Sequence, residues 1–409
     1  MKVVLVENIP KQLPNLSDED AAVLSSARMK GAFRVVRMSW VGGYEVTADN
    51  VIGAIGLPSG AEVHVTPKLP LPNIFRMLSY VAELHSPLDD FAGYQPDEGL
   101  FDIIGKIFAV ELSRLLKNGL KQLYKQEEGE LPTIRGRILF DDTLRRSSLS
   151  HGRIVCAYSK LSLDHLLNQA VATAANQLLR ADVISGSTKT ALRNSVDRFP
   201  IGAISTEFRL EDFKSIRLDR STDYYRRILF LSKMVLSSLA YRNAAGENRF
   251  AGFLLDVSKL FEQFVAKALT DSSASNDLFA KSQSQRCLDV AGEVTCRPDL
   301  IFLRGRETAF VADTKYKDFS LLKFLNQDVY QLVTYLVSHK CRNGFLIYPA
   351  FDAKKSGILK SLTIPTEVGS LRVHAVCMSL ESPQGVVAQM NAILSSLQQD
   401  GQSTAREIA

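Results

Sequence analysis

The sequence predicts a multidomain α+β protein with a small β-rich first part, a mainly helical middle part and an α/β last part. The chain has 409 residues, whereas one domain usually holds roughly 100–200 residues. Short strand-like runs separated by Gly and Pro fill the first part. Apolar residues then recur at three- and four-residue spacing, which is typical of helices. Helices and strands alternate in the last part. We therefore predict three domains, over residues 1–97, 98–245 and 246–409.

The composition is that of a soluble globular protein, because 46% of the residues are apolar and 23% are charged. No window approaches the roughly 18 consecutive apolar residues of a membrane helix, so we expect neither membrane insertion nor secretion. The five cysteines form no CxxC pair and the six histidines are dispersed. These patterns argue against a disulfide framework and a zinc site, and they favour a reducing cytoplasm. The net charge of +5 is compatible with nucleic acid binding.

The spacing of apolar residues also predicts the elements of each domain. In the first domain we expect strands at 33–40, 44–48, 51–57 and 61–69. In the middle domain we expect helices at 98–119, 161–181 and 224–242, a polar turn at Gln126–Glu130 and a short basic strand at 133–140. The polar run Asn243–Asn248 predicts the loop before the third domain.

The third domain is predicted to be an α/β sandwich around a mixed sheet, because its elements follow the order α-β-β-α-β-β-α. These elements are expected at 256–270, 296–305, 308–317, 324–339, 343–349, 371–379 and 385–399.

Two acids and a lysine lie at the ends of neighbouring strands in this third domain. Asp299 directly precedes the apolar run 300–303, and Asp313 directly follows the apolar run 309–312. Adjacent strands joined by a turn at 304–306 would bring both carboxylates to one end of the sheet. Side chains alternate along a strand, so Lys315 is expected beside Asp313, while Thr314 points away.

This grouping fits a phosphodiester-hydrolysing site of the PD-(D/E)xK nuclease type. Hydrolysis needs a metal to neutralise the charge of the scissile phosphate. Mg²⁺ prefers oxygen ligands, which Asp299, Asp313 and the backbone carbonyl of Thr314 would supply. Lys315 would orient or help to deprotonate the water and offset charge in the transition state. Carboxylates and lysines are also common at solvated strand ends, so the spacing alone leaves a non-catalytic interpretation open.

Two flanking helices carry further candidates for this site. Glu262 lies at the rim of the apolar face of the preceding helix, where it could reach the sheet end or be an ordinary surface residue. On the following helix Asp328, Gln331 and Tyr335 form a polar stripe at i, i+3 and i+7. Gln331 of this stripe is a candidate for a supporting role in catalysis.

A second group of residues is a candidate for contact with DNA or with a partner protein. Gly136 separates Arg135 from Arg137, so the backbone can turn sharply and present both guanidinium groups to phosphate or to an acidic surface. An exposed edge strand protected by charge is the alternative interpretation. Lys317 and Tyr330 are further candidates for DNA or partner contact.

Several segments resemble the McrC family, the partner subunit of the modification-dependent McrBC restriction systems. The resemblance is carried by RPDLIF, AFVADTKYK and NQDVYQLVTYL around the two acids, and by VTPKLPLPNIFRMLSY, LYKQEEGELPTIRGRI and LSLDHLLNQAV upstream. It therefore covers nearly the whole chain. The resemblance implies that Asp299, Asp313 and Lys315 take the nuclease motif roles, with Glu262 and Gln331 as supporting catalytic positions and Mg²⁺ as the cofactor.

The resemblance also implies a biological setting. Family members cleave foreign DNA that bears methylcytosine, as a phage defence. They act in complex with a hexameric AAA+ GTPase, the McrB subunit, which the N-terminal part of the McrC subunit contacts and stimulates. We therefore expect residues 1–97 to bind that partner. The sequence has no GxxxxGK[ST] motif, so we expect no nucleotide to be bound by this chain itself.

Two other functions remain open on the sequence. The chain could be a non-catalytic adaptor that activates an AAA+ partner, although the intact Asp299, Asp313 and Lys315 set argues against this hypothesis. It could also be a stand-alone DNA repair nuclease, and cleavage by the isolated chain would distinguish that possibility.

Overall fold

The computed structural model of the protein covers most of the chain. It describes all residues except 1, 27–28, 30, 40–41, 84–99, 147, 182–183, 201–203, 239–252, 272–277, 283, 320–323, 325, 352–355, 368 and 408–409. Both predicted domain boundaries, and the predicted loop Asn243–Asn248, lie outside the described residues. Among the described helices, none combines the length and the apolar character that a membrane crossing requires.

The chain folds as a mixed α/β structure that divides into two compact units. One unit comprises Met1–Gln95 and Leu254–Ala409, and the other comprises Pro96–Phe253. The first and third predicted domains therefore belong to one compact unit. Their separation into a partner-binding domain and a nuclease domain stays a prediction.

The N-terminal part of the first unit is rich in strands, as predicted. Its elements are β1 (Lys2–Val6), β2 (Lys11–Leu13), α1 (Asp18–Ser25), β3 (Phe33–Arg37), β4 (Tyr44–Ala48), β5 (Val51–Gly56), β6 (Glu62–Thr66) and α2 (Leu71–Val81). All four strands expected from the sequence are present as β3, β4, β5 and β6. Strand alternation explains why β6 forms, since Val63 and Val65 are buried while the flanking residues of the strand are not.

The second unit is mainly helical and also contains a three-stranded sheet. Its elements are α3 (Leu100–Asn118), β7 (Leu123–Leu131), β8 (Arg137–Ile138), α4 (Phe140–Arg145), β9 (Ile154–Ser162), α5 (Leu166–Arg180), α6 (Gly186–Val196) and α7 (Arg226–Ser238), with short 3₁₀ turns between them. The helices α3, α5, α6 and α7 pack against one another. The strands lie in the order β7-β9-β8, and all their pairings are antiparallel.

The prediction of a polar turn at Gln126–Glu130 was wrong. This run lies inside β7, where Gln126 pairs with Ser159 and Glu130 pairs with Val155 of β9. Most of β7 is exposed, so the strand lacks the alternation of apolar and polar residues by which a strand is recognised. The basic strand expected at 133–140 is also shorter than predicted, because only Arg137–Ile138 pair and α4 begins at Phe140.

The C-terminal part of the first unit follows the predicted order with several additional strands. Its elements are β10 (Phe253–Asp256), α8 (Val257–Asp271), β11 (Phe279–Ser282), β12 (Arg286–Cys287), β13 (Thr295–Cys296), β14 (Leu300–Arg304), β15 (Glu307–Thr314), α9 (Asn326–Ser338), β16 (Asn343–Pro349), β17 (Gly357–Thr366), β18 (Gly369–Met378) and α10 (Pro383–Glu407). The strands β10, β11, β12, β13 and β17 were not predicted. They are short, or largely exposed in the case of β17, so their apolar patterns are weak.

A six-stranded mixed sheet forms the centre of this part, in the order β11-β14-β15-β16-β18-β17. The strands β15, β16 and β18 are parallel, and the other neighbours are antiparallel. The parallel strand β16 is buried along nearly its whole length, which explains its continuous apolar sequence. Leu332 and Leu336 of α9 pack against Val311 and Leu346 on one face of the sheet. Three strands of the N-terminal part form a separate sheet with β10, in the order β1-β6-β5-β10, and the N-terminal part also has a small sheet, β2-β4-β3.

Candidate active site

The candidate site lies where β14 begins and β15 ends. These strands are antiparallel neighbours, with Leu300 opposite Ala312 and Ile301 opposite Val311. Gly305 makes the turn between them with a φ of +61°, a conformation that glycine adopts without strain. The residue before β14 and the last residues of β15 therefore meet at one end of the sheet, as the sequence predicted.

Asp299 is fixed by the residue that follows Asp313. Its Oδ2 accepts a hydrogen bond from the backbone N–H of Thr314 at 2.7 Å and a second one from the Thr314 hydroxyl at 2.6 Å. Strand alternation predicted only that the Thr314 side chain points away from Lys315. It did not predict which group the Thr314 hydroxyl contacts. Threonine hydroxyls often bond to nearby polar groups at strand ends, but one sequence does not reveal the partner.

Asp313 and Lys315 lie together, as strand alternation predicted. The Lys315 Nζ is 2.5 Å from Oδ2 of Asp313, whose side chain is only 5% exposed. Burial, and to a smaller extent the nearby carboxylate of Asp299, raise the pKa of Asp313 to about 6, although Lys315 opposes the shift. Among the described residues, Oδ2 of Asp313 has no donor that meets the geometry of a hydrogen bond, so its contact with Lys315 is an ion pair.

Lys315 is also held by helix α9. Its Nζ donates to Oε1 of Gln331 at 2.7 Å, and Nε2 of Gln331 donates to the Tyr335 hydroxyl at 2.8 Å. Burial lowers the pKa of Lys315, but the carboxylates of Asp313, Asp328 and Asp299 raise it more, so the net shift is upward. Lys315 is therefore a cation at neutral pH. The predicted polar stripe of α9 lies at the site.

The other candidates in this part occupy different positions. The Lys317 Nζ lies 2.5 Å from Oδ2 of the buried Asp328, so this lysine is tied to α9. Tyr330 of the same helix is 66% exposed. Glu262 is partly buried on α8, a helix that contacts β15. The roles of Glu262, Lys317 and Tyr330 stay predictions.

Arg135 and Arg137 lie in the second unit, beside β9. The Arg135 guanidinium lies 5.0 Å from the centre of the Tyr158 ring and donates to the backbone carbonyl of Ser159 at 3.2 Å. Gly136 between the arginines has a φ of +72°, and a Cβ there would lie 2.3 Å from the Ala157 carbonyl oxygen. Only glycine fits this close approach, so the turn has the sharpness that the sequence predicted.

The oxygen atoms at the strand ends suit a magnesium ion. Within the described part of the chain, no group of three or more His, Cys, Asp or Glu side chains is placed to hold a metal. The set consists instead of Asp299, Asp313 and the Thr314 backbone. In an extended strand the N–H and C=O of one residue point to the same side, so the Thr314 carbonyl points to the Asp299 side. Mg²⁺ is commonly held by one or two carboxylates and keeps several waters, so this set fits it.

Comparisons with known proteins extend over most of the chain. The sequence model of a family described as "McrBC 5-methylcytosine restriction system component" matches residues 46–349. The chain is 25% identical over 308 residues to the "Type IV methyl-directed restriction enzyme EcoKMcrBC" of Escherichia coli (strain K12), a match that covers 70% of this chain and 87% of that protein.

A solved structure is similar over nearly the full length. It is a chain of the refined half-complex from the tetradecameric assembly of Thermococcus gammatolerans McrB AAA+ hexamers with bound McrC. The TM-score is 0.59 at 16% identity, and the match covers 96% of this chain and 100% of that chain. At this identity the likeness shows the fold alone. Because the family match spans well over half of the sequence, the chain belongs to the family of McrBC 5-methylcytosine restriction system components.

Proposed function

We propose that this protein is the DNA-cleaving subunit of a modification-dependent restriction complex, with a PD-(D/E)xK site that hydrolyses phosphodiester bonds with Mg²⁺. One observation carries the proposal. Two acids and a lysine from neighbouring strands converge at one sheet end, where the Lys315 Nζ meets Asp313 at 2.5 Å and Asp299 is locked to Thr314. A carboxyl as buried as that of Asp313 is costly to keep ionised without a cation beside it.

Asp299, Asp313 and the Thr314 carbonyl would hold the magnesium ion. When bound, Mg²⁺ would neutralise charge on the scissile phosphate and make a water molecule a better nucleophile. Both described hydrogen bonds to Asp299 are accepted by Oδ2. This arrangement orients the carboxylate, and Oδ1 would be the oxygen that binds the metal. Asp313 contributes a second negative charge from the buried side of the site.

Lys315 acts through its positive charge in this proposal. Its pKa is raised by the surrounding carboxylates, so a neutral amine that could serve as a general base is scarce at neutral pH. The ammonium instead donates hydrogen bonds to the attacking water or a phosphate oxygen and stabilises the negative charge of the transition state. Gln331 supports this role because it accepts a hydrogen bond from the ammonium, and Tyr335 in turn holds the Gln331 amide.

The setting of the activity follows by analogy with the named relatives. We propose that the chain acts on DNA bearing methylcytosine, together with an AAA+ GTPase hexamer of the McrB type, and stimulates its GTPase. Besides residues 1–97, which we propose to bind this partner, the second unit offers a further surface suited to a protein, because several apolar side chains around its sheet are exposed. They include Tyr124 (74%), Ile134 (62%), Phe140 (69%) and Leu144 (67%). Arg135 and Arg137 lie in the same region and would meet acidic groups of the partner.

Substitutions at the strand ends test the hydrolytic role in the reconstituted complex with its AAA+ partner. Asp313→Ala and Lys315→Ala should each lower DNA cleavage at least about 100-fold, because each removes a charge that the transition state requires. Stimulation of the partner's GTPase should not change. Asp318→Ala is the matched control, since Asp318 is an exposed acid shortly after Lys315.

The same experiment separates the alternatives. Cleavage that survives Asp313→Ala would refute the proposed site. Stimulation of the partner by a wild-type chain that never cuts DNA would identify an adaptor. Efficient cleavage by the isolated chain, without partner or nucleotide, would identify a stand-alone nuclease.

A further inference from the structure

Glu7, at the end of β1, is a buried carboxyl that the proposed mechanism does not use. Its exposed fraction is 0%. Oε2 accepts hydrogen bonds from the backbone N–H of Lys68 at 3.2 Å and from the Tyr316 hydroxyl at 3.3 Å. Oε1 is buried and has no hydrogen-bond donor among the described residues. The first contact lies within the N-terminal part of the unit, whereas the second reaches the residue next to Lys315.

A carboxyl in this environment is unfavourable for the fold. Burial raises the pKa of Glu7 to about 7, although the hydrogen bonds from Lys68 and Tyr316 oppose the shift. An apolar side chain of similar size would avoid this cost. An apolar side chain, however, could not accept the hydrogen bond from the Tyr316 hydroxyl, as Glu7 does.

Tyr316 is the middle residue of the segment Lys315–Lys317, in which each side chain contacts a different polar partner. Lys315 contacts Asp313 and Gln331, Tyr316 contacts Glu7, and Lys317 contacts Asp328. The backbone leaves the sheet within this segment. The Lys315 N–H still donates to the carbonyl of Ile347 in β16 at 2.8 Å, but the Lys317 N–H already turns back to the carbonyl of Lys315 at 2.9 Å.

The Tyr316 ring is enclosed by other aromatic side chains. Its ring centre lies 6.0 Å from that of Phe261 on α8 and 6.1 Å from that of Phe351. Tyr316 is 5% exposed. These apolar contacts restrict the ring only weakly. The hydrogen bond from the hydroxyl to Glu7 sets the position of the end of the side chain.

We propose that Glu7 and Tyr316 position Lys315 in the active site. The N-terminal sheet, through Glu7, would then help to hold the nuclease site in its active geometry. The inference rests on the proposed nuclease function and assigns it two positioning residues. Gln331 and Asp313 hold the Lys315 side chain, and the Glu7–Tyr316 hydrogen bond holds the backbone that follows it. Release of Tyr316 lets the segment pivot about Lys315, and a misplacement on the order of 1 Å at a reacting group lowers a rate strongly.

The test uses the reconstituted complex and measures single-turnover DNA cleavage at saturating Mg²⁺, well below the lowest melting temperature of the variants. Tyr316→Phe removes the donor, and Glu7→Leu removes the acceptor. Each should lower the cleavage rate constant about tenfold without changing the DNA concentration that gives half-maximal rate. Glu7→Gln keeps an oxygen that accepts both hydrogen bonds and should restore the rate to within about twofold of wild type.

Tyr225→Phe is the matched control for a buried tyrosine. Its hydroxyl donates to Oδ1 of Asn168 at 2.6 Å and accepts from the Lys121 N–H at 2.9 Å, all within the second unit. This variant should lose stability and cleave at the wild-type rate. The double variant Glu7→Leu/Tyr316→Phe should be no slower than either single variant, because both remove one interaction.

Each outcome has a distinct meaning. If the Tyr316→Phe variant cleaves at the wild-type rate while the Asp313→Ala variant is inactive, Tyr316 does not position Lys315, and the proposed nuclease function still stands. A rate loss in Tyr225→Phe equal to that in Tyr316→Phe would also overturn the positioning role, since loss of stability alone would then explain the effect. Cleavage by Asp313→Ala would instead refute the nuclease function itself.

Discussion

Thr314 donates both its amide hydrogen and its hydroxyl hydrogen to the same carboxylate oxygen of Asp299. The residue between the acid and the lysine of the DxK motif therefore holds the other acid of the site. Two acids that are 14 positions apart in the sequence are thus joined by one side chain, and the middle position of the motif has a structural task.

Thr314→Val removes the hydroxyl and keeps the backbone bond to Asp299. The carboxylate should then rotate more freely, and Mg²⁺ should bind more weakly. We expect the Mg²⁺ concentration for half-maximal DNA cleavage to rise about tenfold, the size of effect that loss of a supporting hydrogen bond has on metal affinity. Thr314→Ser retains the hydroxyl and should resemble the wild type. An unchanged Mg²⁺ requirement in Thr314→Val would show that the hydroxyl does not orient Asp299.

Gln331→Leu removes the only described side chain of α9 that accepts a hydrogen bond from the Lys315 ammonium. Lys315 should then spend more time on Asp313 and less at the reacting phosphate, so cleavage should fall about tenfold. Tyr335→Phe leaves the Gln331 carbonyl in place and should have a smaller effect. Single-turnover cleavage by the two variants, with GTPase stimulation as a control for assembly, measures the difference. Equal rates in wild type and Gln331→Leu would contradict the role of α9.

The pH dependence of stability should report the buried carboxyl of Glu7. Its pKa is about 7 in the folded protein and 4.5 as the ordinary value, so the folded state binds more protons than the unfolded state between these pH values. The free energy of unfolding contributed by this group therefore falls as pH rises through that window, by on the order of 3 kcal/mol. Glu7→Gln removes this dependence. Urea unfolding should be measured for the wild type and the variant at pH 5 and at pH 8. The free energy of unfolding of the variant, relative to that of the wild type, should be higher at pH 8 than at pH 5. The same difference between the two proteins at both pH values would reject the assignment.

Gly136→Ala should unfold the β7-β9-β8 sheet locally. A Cβ at this position would meet the Ala157 carbonyl oxygen at 2.3 Å, in addition to the strain of a φ of +72°. Gly119→Ala is the matched control, because Gly119 has a φ of +87° and no atom lies within 4 Å of the position that its Cβ would take. The control should cost about 1 kcal/mol, and Gly136→Ala should cost at least about twice as much. Thermal unfolding of the two variants measures the difference, and similar melting temperatures would contradict the proposed clash.

Local patterns in the sequence predicted the centre of the site because its geometry is local. Apolar runs before Asp313 and after Asp299 fixed two strands, and the turn between them left little freedom in register. Alternation then placed Lys315 beside Asp313, and helical spacing placed Gln331 on the polar side of α9. Each of these inferences needs only a few neighbouring residues.

Features that depend on distant partners were not predictable in the same way. Glu7 and Tyr316 are separated by 309 positions, and no local pattern pairs them. Gln126–Glu130 reads as a turn because a strand exposed on both faces has no apolar periodicity. Lys317 was a candidate for DNA or partner contact, and no local pattern indicated that it pairs with Asp328 in the fold.

The last strand of the sheet β1-β6-β5-β10 is β10, which follows the whole second unit in the sequence. During synthesis, the first ninety or so residues therefore have to wait until residue 256 has left the ribosome before their sheet gains its last strand. The whole second unit is made in this interval and can acquire its structure first. A fragment that begins at α8 would contain Tyr316 but lack Glu7, its hydrogen-bond acceptor, so dissection of this protein into separately expressed halves should be planned around the complete first unit.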